Sequence, residues 1–331
     1  MERDLDRRRF LSITGISLGF GALYAVGPRG ALAKEGDHVT RRLAEANGEA
    51  PGSFSFVQLS DTHVGFQSPQ YPGGTAAFEL AIQNVNALPK KPDLVLFTGD
   101  LTHDSEDKDE HARRMRTFRD IASRLDGPVV KAIPGEHDAG LDGGALFREH
   151  FGETSYSFDH RGVHFVALDN VSRARPEVGA ERIAWLEQDL GRFQPTAPIV
   201  VFTHRPLFDL KPEWEWFTRD GDQVLEVLAP FENVTVLYGH IHRAHHRVIG
   251  HTRHDAARSL VFSFPDPDAT DDKKPVPYDG ARPYAGLGLR VVRESVAGEA
   301  PASLDLDDVE LTQRTFSGTE GFVRLLRRRA V

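Results

Sequence analysis

Four apolar runs in this chain stop at side chains that can hold a metal. They are Val57-Gln58-Leu59-Ser60 into Asp61-Thr62-His63, Leu94–Thr98 into Gly99-Asp100, residues 199–203 into His204, and Val234–Tyr238 into Gly239-His240-Ile241-His242. A fifth run, Val129–Ile133, leads into Pro134-Gly135-Glu136-His137-Asp138. One Asp-x-His or His-x-His alone would be an ordinary surface or core feature. Five such endings mean more, because residues just past the carboxyl ends of strands in an α/β sheet gather in one crevice. Imidazole nitrogen with carboxylate oxygen suits Mn, Fe, Zn, Co or Ni. The chain has no cysteine, so disulfides, thiolate zinc sites and Fe–S clusters are excluded. Gly99 and Gly239 let the backbone turn tightly enough to aim the next side chain into the crevice. Two ions roughly 3.5–4 Å apart can engage both the attacking and the leaving oxygen of an in-line displacement. That geometry suits phosphoryl transfer, in which an enzyme mainly positions groups and stabilises charge.

The elements that must position these residues are legible as alternating strand-like and helix-like segments, the pattern of an α/β sandwich. Strands are expected near 54–59, 93–98, 128–133, 163–168, 198–203 and 234–238. Phe78, Ile82, Val85 and Leu88 mark the buried face of one helix, and Met115, Phe118, Ile121 and Leu125 that of another. Residues 155–159 and 163–168, joined by Asp159-His160-Arg161-Gly162, read as a hairpin, so the sheet is mixed. The Pro- and Asp-rich stretch 265–284 and residues 294–303 are expected loops. There is no internal repeat, and Arg327-Arg328-Arg329 reads as a solvated helix end.

The whole chain has 331 residues, 40% of them hydrophobic, which is ample for a sizeable core. Its formal charge of −9, with both signs dispersed, argues against general nucleic-acid binding. Residues 1–33 read as a twin-arginine-type export signal. Arg7-Arg8-Arg9-Phe10-Leu11 precedes a mild apolar run too short to span a bilayer, and Ala31-Leu32-Ala33 offers a cleavage site. Removing its five arginines and three acids would leave a formal charge of −11. Residues 34–52 read as a polar connector and 53–331 as the functional domain with a C-terminal extension. The expected setting is periplasmic or secreted, reached through the twin-arginine export machinery, with no stable membrane span after cleavage.

In order and spacing these motifs resemble those of the calcineurin-like metallophosphoesterases, D-x-H, G-D-x-x, G-N-H-D/E, a lone H and G-H-x-H, over about 54–293. The resemblance implies a four-layer α/β/β/α sandwich with two mixed β-sheets. It implies that Asp61, His63, Asp100 and His242 hold one metal, while Asp100, as the bridge, with Glu136, His204 and His240 hold a second. The cofactor would be two divalent or mixed-valence ions such as Mn, Fe or Zn. A metal-bound hydroxide would attack phosphorus in a small-molecule phosphate ester, mono- or diester. His137 would protonate the leaving oxygen, oriented by Asp138. One position departs from the family: its neutral Asn is Glu136 here, which adds a negative charge to the site.

Several further residues carry two readings. His103 stands where the related purple acid phosphatases place a tyrosine ligand, but an exposed or supporting role is the plainer use. His245 and His246 read as solvated or as lining the pocket mouth. Trp214, Trp216 and Phe217 could wall a leaving-group pocket or pack in the core. Arg205 could meet a phosphate oxygen or form a surface ion pair. The competing function is a non-catalytic, metal-binding interaction protein on the same fold, impaired by Glu136. The retained His137 argues against it, since a scaffold needs no general acid. Metal storage would call for a His-rich tract that the sequence lacks.

Overall fold

A computed structural model describes residues 54–294 and 304–311. In chain order the strands are β1 (Ser55–Leu59), β2 (Leu94–Thr98), β3 (Val129–Ile133), β4 (Tyr156–His160), β5 (Val163–Ala167), β6 (Ile199–Phe202), β7 (Val234–Tyr238), β8 (His245–Ile249), β9 (Thr252–Ala256), β10 (Gly288–Glu294) and β11 (Leu304–Glu310). The first seven match the expected strands, with β4 and β5 forming the expected antiparallel hairpin. The last four lie outside that expectation. No regular element falls between Ala256 and Gly288, in keeping with the loop expected at 265–284. The export signal at 1–33, the connector at 34–52, nearly all of the 294–303 loop and Arg327-Arg328-Arg329 lie outside the described residues. No helix among the described residues is long and apolar enough to cross a membrane.

The strands form two mixed sheets, ordered β11-β10-β1-β2-β3 and β4-β5-β6-β7-β9-β8. Parallel pairing joins β1 to β3 in one sheet and β5, β6, β7 and β9 in the other, so the carboxyl ends of both parallel sets can carry functional turns. Period-two alternation splits each central strand between two cores. Phe56, Leu94 and Leu96 face Phe165, Val200, Phe202 and Leu237 across the space between the sheets. Val57, Leu59, Val95 and Phe97 turn outward to α1 (Ala76–Asn86) and α2 (Lys108–Ala122). The rings of Phe78 and Phe118 stack there at 5.2 Å. On the far side Val166, Val201 and Val236 pack under helices at Ala180–Leu190 and Gly221–Leu228. Helix, sheet, sheet and helix make the four expected layers. Helix α2 begins where the Asp107 carboxylate accepts from the amides of Asp109 and Glu110, at 2.9 and 3.2 Å.

A polar network ties the two sheets together beneath the functional turns. Arg290 on β10 is 2% exposed. It donates to Asp308 Oδ1 at 3.0 Å, to Gln58 Oε1 at 3.3 Å and to the carbonyl of Ala256 on β9 at 2.8 Å. Gln58 in turn donates to Thr98 Oγ1 at 3.2 Å and to the Tyr238 carbonyl at 3.0 Å. Thr98 and Tyr238 are the last residues of β2 and β7, each one step before a ligand-bearing Gly turn. Buried polar groups satisfied this fully specify one arrangement, because any slip leaves a donor or acceptor unpaired.

Candidate metal centre

The five turns after β1, β2, β3, β6 and β7 converge. Their backbones are strained in a way the sequence alone does not announce. Asp61, His63, Asp100, His240 and His242 all have left-handed φ values, 54°, 41°, 48°, 65° and 52°. Such residues each cost on the order of 1–3 kcal/mol unless the surroundings compensate, and they cluster at functional sites. Here the compensation is visible. The amides of Asp61, His63 and Val64 donate to the carbonyls of Gly99, Asp100 and Leu101 at 3.1, 2.9 and 3.1 Å, zipping two turns together. Close approach also demands glycine: a Cβ on Gly135 would lie 2.0 Å from Asp100 Oδ1.

Four overlapping groups of ligand atoms result among the described residues, two of them (His63, His103 and His137; Asp100, Glu136 and His137) centred on His137; the other two are those the sequence suggested. Asp61, His63, Asp100 and His242 form one, and Glu136, His204 and His240 the other. Asp100 stands between them, with Oδ2 3.3 Å from His63 Nε2 and 3.4 Å from His204 Nε2. Its Oδ1 is taken by the amide of His137 at 3.0 Å.

Hydrogen bonds at the outer ring nitrogens turn the inner ones toward the carboxylates of the crevice. His204 Nδ1 donates to the Thr98 carbonyl at 2.7 Å and His242 Nδ1 to the Phe262 carbonyl at 2.9 Å. His240 Nε2 donates to the Glu215 carbonyl at 3.2 Å, turning Nδ1 inward. Carbonyl-held rings are what metal-ligating histidines need. The inward lone pairs crowd one another. His63 Nε2 lies 3.2 Å from His242 Nε2, Asp61 Oδ2 is buried without a hydrogen bond, and the buried Glu136 Oε2 and His204 Nε2 have only each other, at 2.8 Å. Converging carboxylates and imidazoles of this kind fit a bound cation.

The local electrostatics point the same way. Burial lowers His204, yet Asp100 and Glu136 overcome it and hold the ring well above the ordinary imidazole value. This position wants positive charge, and a metal would displace the proton. Burial opposes ionisation of Glu136, but His240, Arg205 and His204 outweigh it, so the carboxylate is held well below its usual range. Glu136 faces the crevice, with Oε1 2.7 Å from His240 Nδ1 and Oε2 2.8 Å from His204 Nε2. Of the two readings of Arg205, the surface ion pair does not hold. It is 7% exposed, lies 3.4 Å from Glu136 Oε1, and donates to the Glu215 carbonyl at 2.8 Å. The charge that Glu136 adds is therefore met by a buried guanidinium.

The structure corrects the role expected of Asp138. Its carboxylate accepts from the amides of Gly135, Leu101 and Thr102 at 2.9, 2.9 and 2.8 Å and from the Thr102 hydroxyl at 2.8 Å. It staples two turns together. The partner of His137 is Asp104, whose Oδ1 is 2.5 Å from Nδ1. Arg114 on α2 fixes that loop by donating to the carbonyls of His103 and Asp104 at 3.1 and 2.8 Å. Burial works against a charged His137, but Asp100, Glu136 and Asp104 raise it to about 9. Asp138→Ala should thus cost about 3 kcal/mol or more of folding stability, since several buried donors lose their acceptor. An unchanged urea midpoint would contradict the staple.

The remaining candidates resolve as follows. His103 supports the first group, with Nδ1 3.2 Å from His63 Nδ1 and its ring stacked 4.5 Å from that of His137. Trp214 and Trp216 are buried in a core with Phe208 and Tyr238, so they pack and do not wall a pocket; Phe217 is half-buried. His245 and His246 lie on β8 and bond to the Tyr238 hydroxyl at 2.7 Å and to Asp255 at 3.0 Å. Two residues escaped the sequence reading. Asn170 Oδ1 accepts from the amides of His204 and Arg205, both at 3.3 Å, and Asp104 holds His137. Asn170 had a signal, since Asp169-Asn170 also follows an apolar strand.

Two sheets whose ligand-bearing turns meet over a shared carboxylate define a metal-dependent phosphoric ester hydrolase. The chain belongs to the calcineurin-like phosphoesterase family, which it matches over residues 54–244. It is 29% identical over 201 residues to a probable glycerophosphodiester phosphodiesterase, GpdQ, of Arcobacter nitrofigilis, spanning 56% of this chain and 71% of that protein. It is 28% identical over 228 residues to a probable cyclic nucleotide phosphodiesterase of Synechococcus sp., spanning 65% and 84%. The fold is shared with a dimetal phosphatase from Danio rerio, at a TM-score of 0.54 and 13% identity over 77% of this chain and 99% of that one. It is also shared with a purple acid phosphatase from yellow lupin (Lupinus luteus) seeds, at 0.55 and 14% over 78% and 51%.

Proposed function

We propose that the chain is an exported phosphodiesterase that acts on small-molecule esters at a binuclear metal centre. The observation that carries this reading is Asp100, whose single oxygen Oδ2 lies at nearly equal distance from His63 Nε2 of one group and His204 Nε2 of the other. When bound, the ions supply Lewis acidity toward the phosphate and an activated water for in-line attack. The protein does the rest. Asp100 would be a ligand at both positions and, through Oδ1, positions the backbone of His137. The His137 ring, oriented by Asp104, delivers a proton to the departing oxygen. Glu136, although paired with Arg205, makes the crevice less positive than a neutral residue would, which disfavours a dianionic monoester more than a monoanionic diester. The relatives named as phosphodiesterases support the same class. Assay of the metal-analysed protein against p-nitrophenyl phosphate and bis-p-nitrophenyl phosphate tests the reading. Hydrolysis of neither, with both metal positions filled, would leave the non-catalytic alternative in its place.

Glu136→Asn should lower KM for monoesters and tighten inhibition by free phosphate, because it removes one negative charge and leaves Arg205 unpaired at the crevice. At about 4 Å and an effective dielectric of 20, one unit charge is worth about 4 kcal/mol before screening, so a tenfold change is a modest expectation. Unchanged phosphate inhibition would remove Glu136 from substrate contact.

Export rests on residues 1–33, and Arg7 and Arg8 are the recognised pair in this proposal. Replacing both by lysine should strand the protein in the cytoplasm. Undiminished periplasmic protein in that variant would refute the assignment.

A further inference from the structure

The ring of His137, the acid of the proposed reaction, opens a continuous aromatic path. His103 stacks on it at 4.5 Å, and Phe66 meets His103 edge-on at 5.1 Å. Phe66 lies 5.3 Å from Phe262 and 6.4 Å from Tyr71, and Tyr71 lies 5.5 Å from Phe262. Phe262 also stacks over the metal-group ring of His63 at 6.2 Å, and 4.6 Å from His242. Phe66, Tyr71 and Phe262 are half-buried, unlike the Trp214 and Trp216 rings of the neighbouring core. Three half-buried aromatic rings packed together beside the ligand groups leave part of their apolar surface open for a ligand to cover.

We infer that Phe66, Tyr71 and Phe262 form the leaving-group subsite and that the favoured substrates are diesters whose departing alcohol carries a planar ring, aryl or nucleobase. The direction follows from the acid. A general acid must lie within hydrogen-bond reach of the departing oxygen, so the group attached to that oxygen extends past His137, where the aromatic patch begins. Glu136, Arg205 and the Glu215 carbonyl form a polar cluster at the other ligand group, where Arg205 suits the phosphoryl end. Planar rings gain by offset or edge contact with such faces, whereas a small polyol would leave them wet. This inference rests on the proposed role of His137 for its direction, but the subsite can be tested apart from turnover.

The test uses monoanionic methyl phosphinates, which have no ester bond to cleave, with a second substituent of 3-phenylpropyl, 3-(adenin-9-yl)propyl or 3-hydroxypropyl. Binding to the metal-loaded protein is measured by calorimetry. The ring-bearing probes should bind roughly 10-fold or more tightly than the hydroxypropyl probe, as stacking of a base on an aromatic side chain commonly gives. The order of the phenyl and adenine probes then distinguishes an aryl from a nucleobase substrate. Phe66→Leu, Phe262→Leu and Tyr71→Leu, each checked for an unchanged melting curve, should cut the ring advantage to about 3-fold or less. Equal binding of all three probes, or an advantage that survives in every variant, overturns the subsite. If ring probes bind preferentially while the corresponding diesters are not hydrolysed, the subsite stands and the phosphodiesterase reading falls.

Discussion

Asp100→Ala is expected to abolish turnover and to release at least one of the two proposed ions. Two divalent ions roughly 3.5–4 Å apart repel by about 4–5 kcal/mol even at the dielectric of water, and more in a buried crevice. Asp100 is placed to offset that repulsion were both positions filled, since Oδ2 lies 3.3 Å from His63 Nε2 and 3.4 Å from His204 Nε2. The same substitution frees the amide of His137 from Oδ1, so the acid loses its position as well. Elemental analysis should show occupancy well below two ions per chain, with kcat reduced by about 10³-fold or more, as expected when transition-state charge stabilisation is removed. Full occupancy of both positions in the variant would sink the assignment of Asp100 as the bridge.

His137→Ala should keep its metal and lose about 10²–10⁴-fold in kcat on alkyl esters, the usual worth of general-acid assistance. The loss should shrink on p-nitrophenyl esters, whose leaving group departs without a proton. Asp104→Asn separates orientation from proton delivery. The Asp104 carboxylate lies 2.5 Å from His137 Nδ1 and helps to raise the ring's pKa to about 9. A raised value keeps the acid protonated up to higher pH. Removing Asp104 should therefore move the alkaline limb of the kcat/KM profile toward acid and reduce kcat less than His137→Ala does. Equal losses of His137→Ala on alkyl and p-nitrophenyl esters would remove the ring from the acid role.

Much of the frame could be read one element at a time. The runs ending at Leu59, Thr98, Phe202 and Tyr238 are apolar because both faces of a central strand are covered, and such runs stand out in any sequence, whereas the run ending at Ile133 is an edge strand with Val129 exposed. Helical periodicity marked Phe78, Ile82 and Val85 for the same reason. The strands β8 and β9 did not stand out, because His245-His246-Arg247 and Arg253-His254-Asp255 are polar. Strand β9 lies inside the sheet only because β7 and β8 flank it, a fact of topology that no local pattern carries. Strand β10 hides behind the buried Arg290, which looks like a surface residue until Gln58, Asp308 and Ala256 surround it.

The candidate centre divides along the same line. By itself the sequence determined which atoms could bind a cation: nitrogen and oxygen ligands at the ends of five strands, with no sulfur, and one acidic departure at Glu136. Residue type and strand position are local properties, and they survive without knowledge of neighbours. Which of those residues meet was decided only by the tertiary structure. The sheet order places Asp104 rather than Asp138 on His137, buries Arg205 against Glu136, and lays Phe262 over His63. The left-handed backbone at Asp61, His63, Asp100, His240 and His242 belongs here too. Each of these pairings joins turns that are distant in the chain, and a hydrogen bond or ion pair forms only within a few ångströms. Its existence therefore depends on how two sheets stack and on the register that Gln58 and Arg290 hold between them.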